Sequence, residues 1–430
     1  MKISVSVASL CLGVFASGAF AAEVSINGHL DESVEASNNY FLTNAPSGYT
    51  LKPLSAINLD VLAATPTTRY LLDSNYSYYK YFGPGAADAG GLTWGTPASE
   101  KLSIDHTSAL SKYNFAMSWD RSDVATTALQ QTGTAAGRGS IDTFKIDGGV
   151  KRDLTRTDSI SWSANVTKAV YTDPNQSPYV DYSTNAAWIH RLGPTTSLTN
   201  SVNFDWLMVD NVSSSQRLFW NPMTTLQSQL SKRLSFNGAV GYAFINAYDN
   251  GAAQPVIPTG ATTFQQQTGA VSDWVGNALL NYQLSNTTKV SLTAAKSIVP
   301  TVFGQLENVE SIGSTLSYDI NHYSSLTFLS QFSHIKTAAT ATTGATASDA
   351  FTASANYGYK LTREWRTNLS YTYSQRNDQT GLARSSTVLF RLTRDFTLFG
   401  KPPEVVQKTP SELAQQDLAR AQQALPTFIP

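Results

Sequence analysis

Residues Phe351–Arg376 read FTASANYGYKLTREWRTNLSYTYSQR. Over Phe351–Leu361 the odd positions are Phe351, Ala353, Ala355, Tyr357, Tyr359 and Leu361. The even ones are Thr352, Ser354, Asn356, Gly358 and Lys360. After a short polar break the pattern resumes, with Trp365, Leu369, Tyr371 and Tyr373 on one face and Arg366, Asn368, Ser370, Thr372, Ser374 and Arg376 on the other. Side chains alternate along a β-strand with a period of two, so each run predicts a strand with one apolar and one polar face. Strands of soluble sandwiches alternate as well, but usually run about 5–6 residues. Runs of about ten or more fit tilted strands that cross a bilayer.

The same alternation recurs in Ile160–Val170, Val180–Leu192, Val202–Met208 and Leu234–Asn246. A short polar turn follows a strand-ending aliphatic residue at Leu110-Ser-Lys112, Leu154-Thr-Arg156, Leu192-Gly-Pro194, Leu230-Ser-Lys232, Leu284-Ser-Asn286, Ile320-Asn-His322 and Leu361-Thr-Arg363. These turns return at intervals of roughly 40 residues, the length of a hairpin of long strands with one tight and one loose connection. The loose connections include Gly83–Thr96, Gln130–Gly139, Tyr248–Phe264 and Thr337–Ser348. Short periplasmic turns opposite long extracellular loops characterise outer-membrane barrels, so both termini are expected in the periplasm. Eighteen strands are predicted, beginning near Val24, Leu51, Thr68, Glu100, Lys112, Ser140, Asp158, Tyr179, Thr196, Arg217, Leu234, Thr268, Thr288, Phe303, Ser324, Asp349, Glu364 and Leu382. Sixteen is the alternative, because Pro53 and Pro300 interrupt Leu51–Val61 and Ile298–Glu307 and proline removes a ladder donor.

The ends read differently. Lys2, the apolar stretch Ile3–Phe20 and Ala19-Phe20-Ala21 form a secretory signal peptide over 1–21, with the mature start near Ala22. Cys11 lies inside it, and Leu10 is too large for a lipoprotein cleavage site, so the exported chain is expected to carry no disulfide. The barrel is assigned to 22–399. Lys401-Pro402-Pro403 breaks the last strand, and Thr409-Pro410-Ser411-Glu412 reads as a capping box that opens a short helix over Ser411–Leu425, in a periplasmic tail of 400–430.

Composition narrows the function classes. Charged residues make up 14% of the chain, against about 25% in soluble domains, while aromatics reach 11% and the formal net charge is −1. No basic excess points to nucleic acid. After the leader no apolar run reaches the roughly 18 residues of a spanning helix, so a membrane crossing must use closed strands. The histidines, His29, His106, His190, His322 and His334, have no HExxH or metal-ligand spacing, and GxSxG and the P-loop are absent. A membrane lipase assembled from Ser, His and Asn of neighbouring strands has no motif behind it. The histidines are read as interface and turn residues, with no metal, cofactor or enzymatic activity expected.

Two sets of residues remain. Tyr70, Tyr113, Tyr318 and Trp365 lie close to the short turns, while Trp119, Trp206, Trp220 and Tyr373 lie toward the long loops. Amphipathic rings favour the headgroup layer, so these predict two aromatic girdles against outer-membrane lipid. Arg69, Asp73, Lys101, Asp105, Lys145, Asp147, Asp181, Arg191, Asp205, Lys360, Arg366 and Arg376 fall on the opposite parity, as do Asp60, Lys151, Asp153, Glu307 and Asp319. A charge facing lipid near the midplane costs about 2–4 kcal/mol, so these predict a hydrated lumen. Their mixed signs predict no strong ion selectivity.

The chain also resembles a porin-like family of outer-membrane barrels found with exopolysaccharide-export systems in Gram-negative bacteria. The resemblance rests on LDESVEASNNYFL at Leu30–Leu42, TTRYLLDSNYSYYKYF at Thr67–Phe82 and hairpins such as KLTREWRTNLSYTYSQRN at Lys360–Asn377, and extends from Ala22 to about Phe399. It implies a channel that assists export of a secreted polysaccharide, with periplasmic export components as partners and no catalytic residues. The departure is the end, where a tail follows Phe396–Phe399 instead of a terminal aromatic. The other readings are a general diffusion porin for small solutes and a non-conducting structural or adhesion barrel.

Overall fold

The computed structural model describes residues 23–89, 94–124, 127, 139–173, 176–210, 215–248, 269–300, 306–337, 346–379 and 381–400. The expected leader, the expected tail helix at Ser411–Leu425 and most of the long connections lie outside the described residues. The strands are β1 (Glu23–Ser37), β2 (Thr50–Ala64), β3 (Thr68–Lys80), β4 (Trp94–Gly95), β5 (Ala98–Thr107), β6 (Ser111–Asp123), β7 (Ser140–Asp153), β8 (Asp158–Tyr171), β9 (Tyr179–Arg191) and β10 (Thr196–Val209). They continue as β11 (Ser215–Gln229), β12 (Leu234–Tyr248), β13 (Gly269–Gln283), β14 (Thr288–Pro300), β15 (Leu306–Asp319), β16 (Ser324–Thr337), β17 (Thr346–Lys360), β18 (Trp365–Asp378) and β19 (Gly381–Phe399). Each pairs antiparallel with its sequence neighbour, and β1 pairs with both β2 and β19, so the sheet closes. The short β4 and β5 both pair with β3, at Tyr79–Lys80 and Thr68–Tyr76, and form one stave broken at Pro97. The result is an 18-strand antiparallel barrel. Each predicted strand start falls within three residues of an observed one, Glu100 matching β5, while the short β4 has no predicted counterpart.

The register carries the alternation around the ring. Tyr357, Leu369, Phe390 and Val34 are cross-strand neighbours on β17, β18, β19 and β1, and all four are exposed on the outer wall. No helix among the described residues is long and apolar enough to cross a membrane. An apolar exterior on a sheet without free edges satisfies the backbone in hydrocarbon, as a spanning structure must.

The repeated turn has a local cause. At several of these turns the hydroxyl or amide residue after the aliphatic stop takes up backbone N–H groups that the hairpin would leave unpaired. Thr155 Oγ1 accepts from Asp158 N at 2.9 Å, Ser231 Oγ from Leu234 N at 3.1 Å, Asn321 Oδ1 from Ser324 N at 2.9 Å and Thr362 Oγ1 from Trp365 N at 3.0 Å. β1 begins and β19 ends at this short-turn end.

The prolines are accommodated without loss of a stave, so the sixteen-strand alternative is set aside. Pro53 pairs with Val34 on β1, while the ladder to β3 lapses between Leu51 and Leu54. Pro222 pairs with Val202 on β10, while the ladder to β12 skips Asn221 and Pro222. Pro300 closes β14, opposite Leu306. A proline can therefore sit inside a closed barrel where one of its two ladders is interrupted.

Buried apolar side chains gather on the inner wall toward the long-loop end. Ile141 and Ala169 pack with Val124, and Leu207, Ile245, Val275, Val309 and Ile335 are each under 9% exposed. The mid-barrel wall is polar, so the packed apolar residues sit at the mouth rather than along the axis.

Candidate functional site

The inner wall is the candidate site, and its residues follow from the register. A single row of rungs runs Thr397, Asn27, Asp60, Asp73, Lys101, Ser118, Lys145, Thr167 and Asp181, from β19 through β1 to β9. Nearer the turns, Arg69 stands opposite Asp105, followed by Asn114. Asp147 neighbours Asn165, Asp205 neighbours Ser183, and Arg191 neighbours Ser197 at the short-turn rim. Lys360 faces Arg366, and Arg376 lies toward the long-loop end beside Ala350. The register thus brings opposite charges together at Arg69–Asp105 and Asp73–Lys101, and like charges at Lys360–Arg366 and Asp60–Asp73. Lys151, Asp153, Glu307 and Asp319 share the same inner parity.

The opposite arc is different. Thr225, Ala239, Asn277, Ala295, Ser311, Ser333 and Ala350 form one continuous row from β11 to β17, without a charge. At mid-height the lumen therefore has a charged arc facing an uncharged row of small hydroxyl, amide and methyl side chains, while the inward charges of this arc, Arg217, Lys289, Glu307, Asp319 and Lys360, lie toward the strand ends.

Two clusters were missed by the sequence reading. The first lies where the barrel closes. His29 Nδ1 meets Asp395 Oδ1, His29 Nε2 lies 3.5 Å from Asp60 Oδ2, and Arg366 donates to Asp395 at 2.6 Å. Asn58 donates to Asp73 at 2.9 Å, and Thr393 donates to Asp31. The signal was available, since His29 and Asp395 share inner parity, but it needs the β1–β19 register.

The second lies at the long-loop end. The segment between β1 and β2 folds onto the inner wall. Phe41 is 2% exposed and packs edge-on against Tyr40 and Tyr81, at 5.0 and 5.3 Å. Lys52, opposite Glu35 across the ladder, places Nζ 4.5 Å from the Tyr79 ring, 5.2 Å from Tyr40 and 5.7 Å from Tyr81, and donates to the Tyr40 hydroxyl at 2.8 Å. An ammonium among aromatic faces is held by their quadrupoles. Asn39 pins the segment by donating to the carbonyls of Thr43 and Arg384, at 2.7 and 3.0 Å. Leu42 adopts φ 49°, a left-handed conformation that a leucine holds only when its surroundings impose it.

On the exterior, Tyr113, Trp206, Trp220 and Tyr318 are exposed, and Tyr70, Trp119, Trp365 and Tyr373 share their outward parity. Trp119 Nε1 donates to Asp142 at 3.1 Å beneath Arg121, Trp365 lies under Arg394, Trp206 adjoins Tyr182, and Trp220 stacks on Phe244 at 4.4 Å. Trp188 stacks with His190, and both donors reach Asp158. His106 and His334 also lie outward, hydrogen-bonded to Thr68 and Asp349. Among the described residues no group of three acidic, His or Cys side chains is disposed to hold a metal ion.

No protein-family model matches the chain, and no curated protein matches it. Solved structures similar to it are bacterial barrels. OccAB3 of Acinetobacter baumannii is 11% identical, with 87% of this chain and 99% of that one covered, at a TM-score of 0.47. OpdK of Pseudomonas aeruginosa, crystallised with vanillate, is 10% identical, with 87% and 98% covered, at 0.48. The FrpB iron transporter of Neisseria meningitidis is 8% identical, with 86% and 82% covered, at 0.46.

Proposed function

We propose that this barrel is an outer-membrane channel for polar, polyhydroxylated solutes, and that it assists the passage of a secreted polysaccharide. The two-sided lumen carries the reading. A wall of mixed charges opposite a mid-height row of Ser, Thr, Asn and Ala offers many donors and acceptors without a single-sign field, and tyrosines cluster at the mouth. Neutral sugars are bound through such hydroxyl, amide and aromatic contacts. The family resemblance in the opening segment supports the polymer over small solutes. Tyr70, Tyr113, Tyr318 and Trp365 would form the periplasmic girdle, and Trp119, Trp206, Trp220 and Tyr373 the outer one.

Purified protein in planar bilayers should open stable channels with a reversal potential near zero in a KCl gradient, as the mixed charge implies. Deleting the gene should abolish extracellular polymer without retaining it in the cytoplasm. Conductance with normal polymer secretion would favour a general diffusion porin instead, and the absence of conductance would favour a structural barrel.

Orientation is tested separately. An epitope inserted within Thr337–Ser348 should be accessible on intact cells, whereas one at Ser231–Arg233 should be protected until the outer membrane is opened. The reverse pattern would invert the barrel.

A further inference from the structure

Among the described residues the ring of hydrogen bonds has its longest interruption between β13 and β14. β13 and β14 pair only from Gly276–Lys296 down to Gln283–Lys289. Both strands continue toward the long loops, β13 paired with β12 as far as Gly269 and β14 paired with β15 as far as Pro300. Continuing the register would match Val275 with Ser297, Trp274 with Ile298, Asp273 with Val299 and Ser272 with Pro300. None of these four rungs is formed among the described residues. Backbone groups left unpaired in lipid are strongly disfavoured.

One carboxylate occupies the gap. Asp273 Oδ1 accepts from the Trp274 amide at 2.7 Å, in place of a ladder partner. Its Oδ2 bridges the seam to Lys296 Nζ at 2.9 Å and to Asn308 Nδ2 at 2.8 Å, and Lys296 also reaches Glu310 at 3.3 Å. Strict alternation would send Asp273 into the lumen. It meets exterior side chains of β14 and β15 instead, so β13 has rolled out of line where the ladder stops. The Asp273 and Lys296 side chains are each 33% exposed, and pairs this accessible hold weakly.

The flanks of the seam are apolar on both sides. Inside lie Ile245 and Val275 on one side and Val309 on the other, all buried. Outside, Trp274 is 62% exposed and meets Tyr242 edge-on at 5.2 Å. Leu207, Ile141 and Ile335 are also buried on the inner wall near this end, but the ladders on both sides of them are continuous, whereas at the seam the apolar flanks coincide with an interrupted ladder.

We propose that the β13–β14 seam is a lateral portal between the lumen and the surrounding leaflet, latched by Asp273 and Lys296, that passes an amphiphile through its acyl chain. Opening needs only the weak latch to break, because no ladder has to be unzipped. The proposal does not depend on which solute uses the axial path.

The test uses the full chain in liposomes carrying fluorescent lysophosphatidylcholine on the inner leaflet, with albumin extraction reporting its arrival outside. The wild type should speed this transfer severalfold over protein-free vesicles, and Asp273→Asn should speed it further. In a Trp274→Cys/Ile298→Cys variant, oxidation should return the rate to the protein-free value while ion conductance persists, and reduction should restore it. Transfer no faster than in protein-free vesicles, or unaffected by a formed disulfide, would overturn the proposal. Amide exchange gives an independent reading: Ile298 should exchange at least about tenfold faster than ladder-paired Leu292, as expected for a locally open segment. Equal protection would mean a closed seam and would also reject the portal.

Discussion

Tyr371→Arg will prevent most of the protein from assembling in the membrane, whereas its neighbour Thr372→Arg will fold normally. Tyr371 lies mid-strand on the outer wall of β18, exposed, between Ala355 and Val388 on the adjacent strands. An arginine there places its charge near the bilayer midplane, at a cost of about 2–4 kcal/mol, or roughly thirty to a thousandfold in the folded-to-unfolded ratio. Thr372 faces the lumen between Ser354 and Thr387, where water and side-chain acceptors can solvate a guanidinium. The substitution there should stay within about 0.5 kcal/mol. Heat-modifiable migration of outer-membrane fractions reads the folded share directly. Equal yields for the two variants would reverse the assignment of faces, because a one-residue slip exchanges every side chain between lipid and lumen.

That contrast rests on the feature most legible in the sequence. Period-two alternation needs no long-range information, so the strands, their faces and the hydroxyl-stopped turns can be read locally. Phe351–Leu361 and Trp365–Arg376 already carry the whole scheme, and Thr155, Ser231 and Thr362 close the hairpins for the reason their residue types suggest. Pairing is harder to read. That Arg69 opposes Asp105, or that His29 meets Asp395 across 366 positions of sequence, depends on the stagger between strands, which alternation leaves open. Proline was informative in one direction only. Pro53 marks an interrupted ladder, but the strand survives on its other ladder, and the same happens at Pro222, which the alternation does not single out. At the β13–β14 seam Pro300 marks the end of β14, but it does not reveal that the ladder already stops at Lys296. Neither Asp273 nor Lys296 looks unusual in a chain where many strands carry charges, and only the missing rungs single them out.

The mouth cluster yields the second large effect, and its outcome reports on conduction as well as packing. Phe41→Ala should release the segment between β1 and β2 from the inner wall while leaving the barrel intact. Phe41 is almost wholly buried and makes two edge-on ring contacts, so truncation should cost about 3–5 kcal/mol. Little else compensates. Leu42 is held at a φ of 49°, which the chain would relax once the ring is gone. Asn39 and the Ser47–Asp88 contacts anchor the two ends of the segment, but not its centre. The staves themselves would not move, because their ladders do not involve Phe41. The folded share on gels should therefore match wild type, unlike that of Tyr371→Arg. The change should appear at the mouth. Single-channel conductance should rise and become noisier, and a cysteine in place of Tyr40 should turn from protected to reactive toward a water-soluble maleimide. Lys52→Met should act in the same direction more weakly, since it removes an ammonium held by three rings, each contributing on the order of 0.5–2 kcal/mol, and keeps the apolar stem. If Phe41→Ala exposes position 40 but leaves conductance unchanged, the folded-in segment is packing against the wall without narrowing the path. The constriction would then have to be sought deeper, along the row from Asp60 to Asp181.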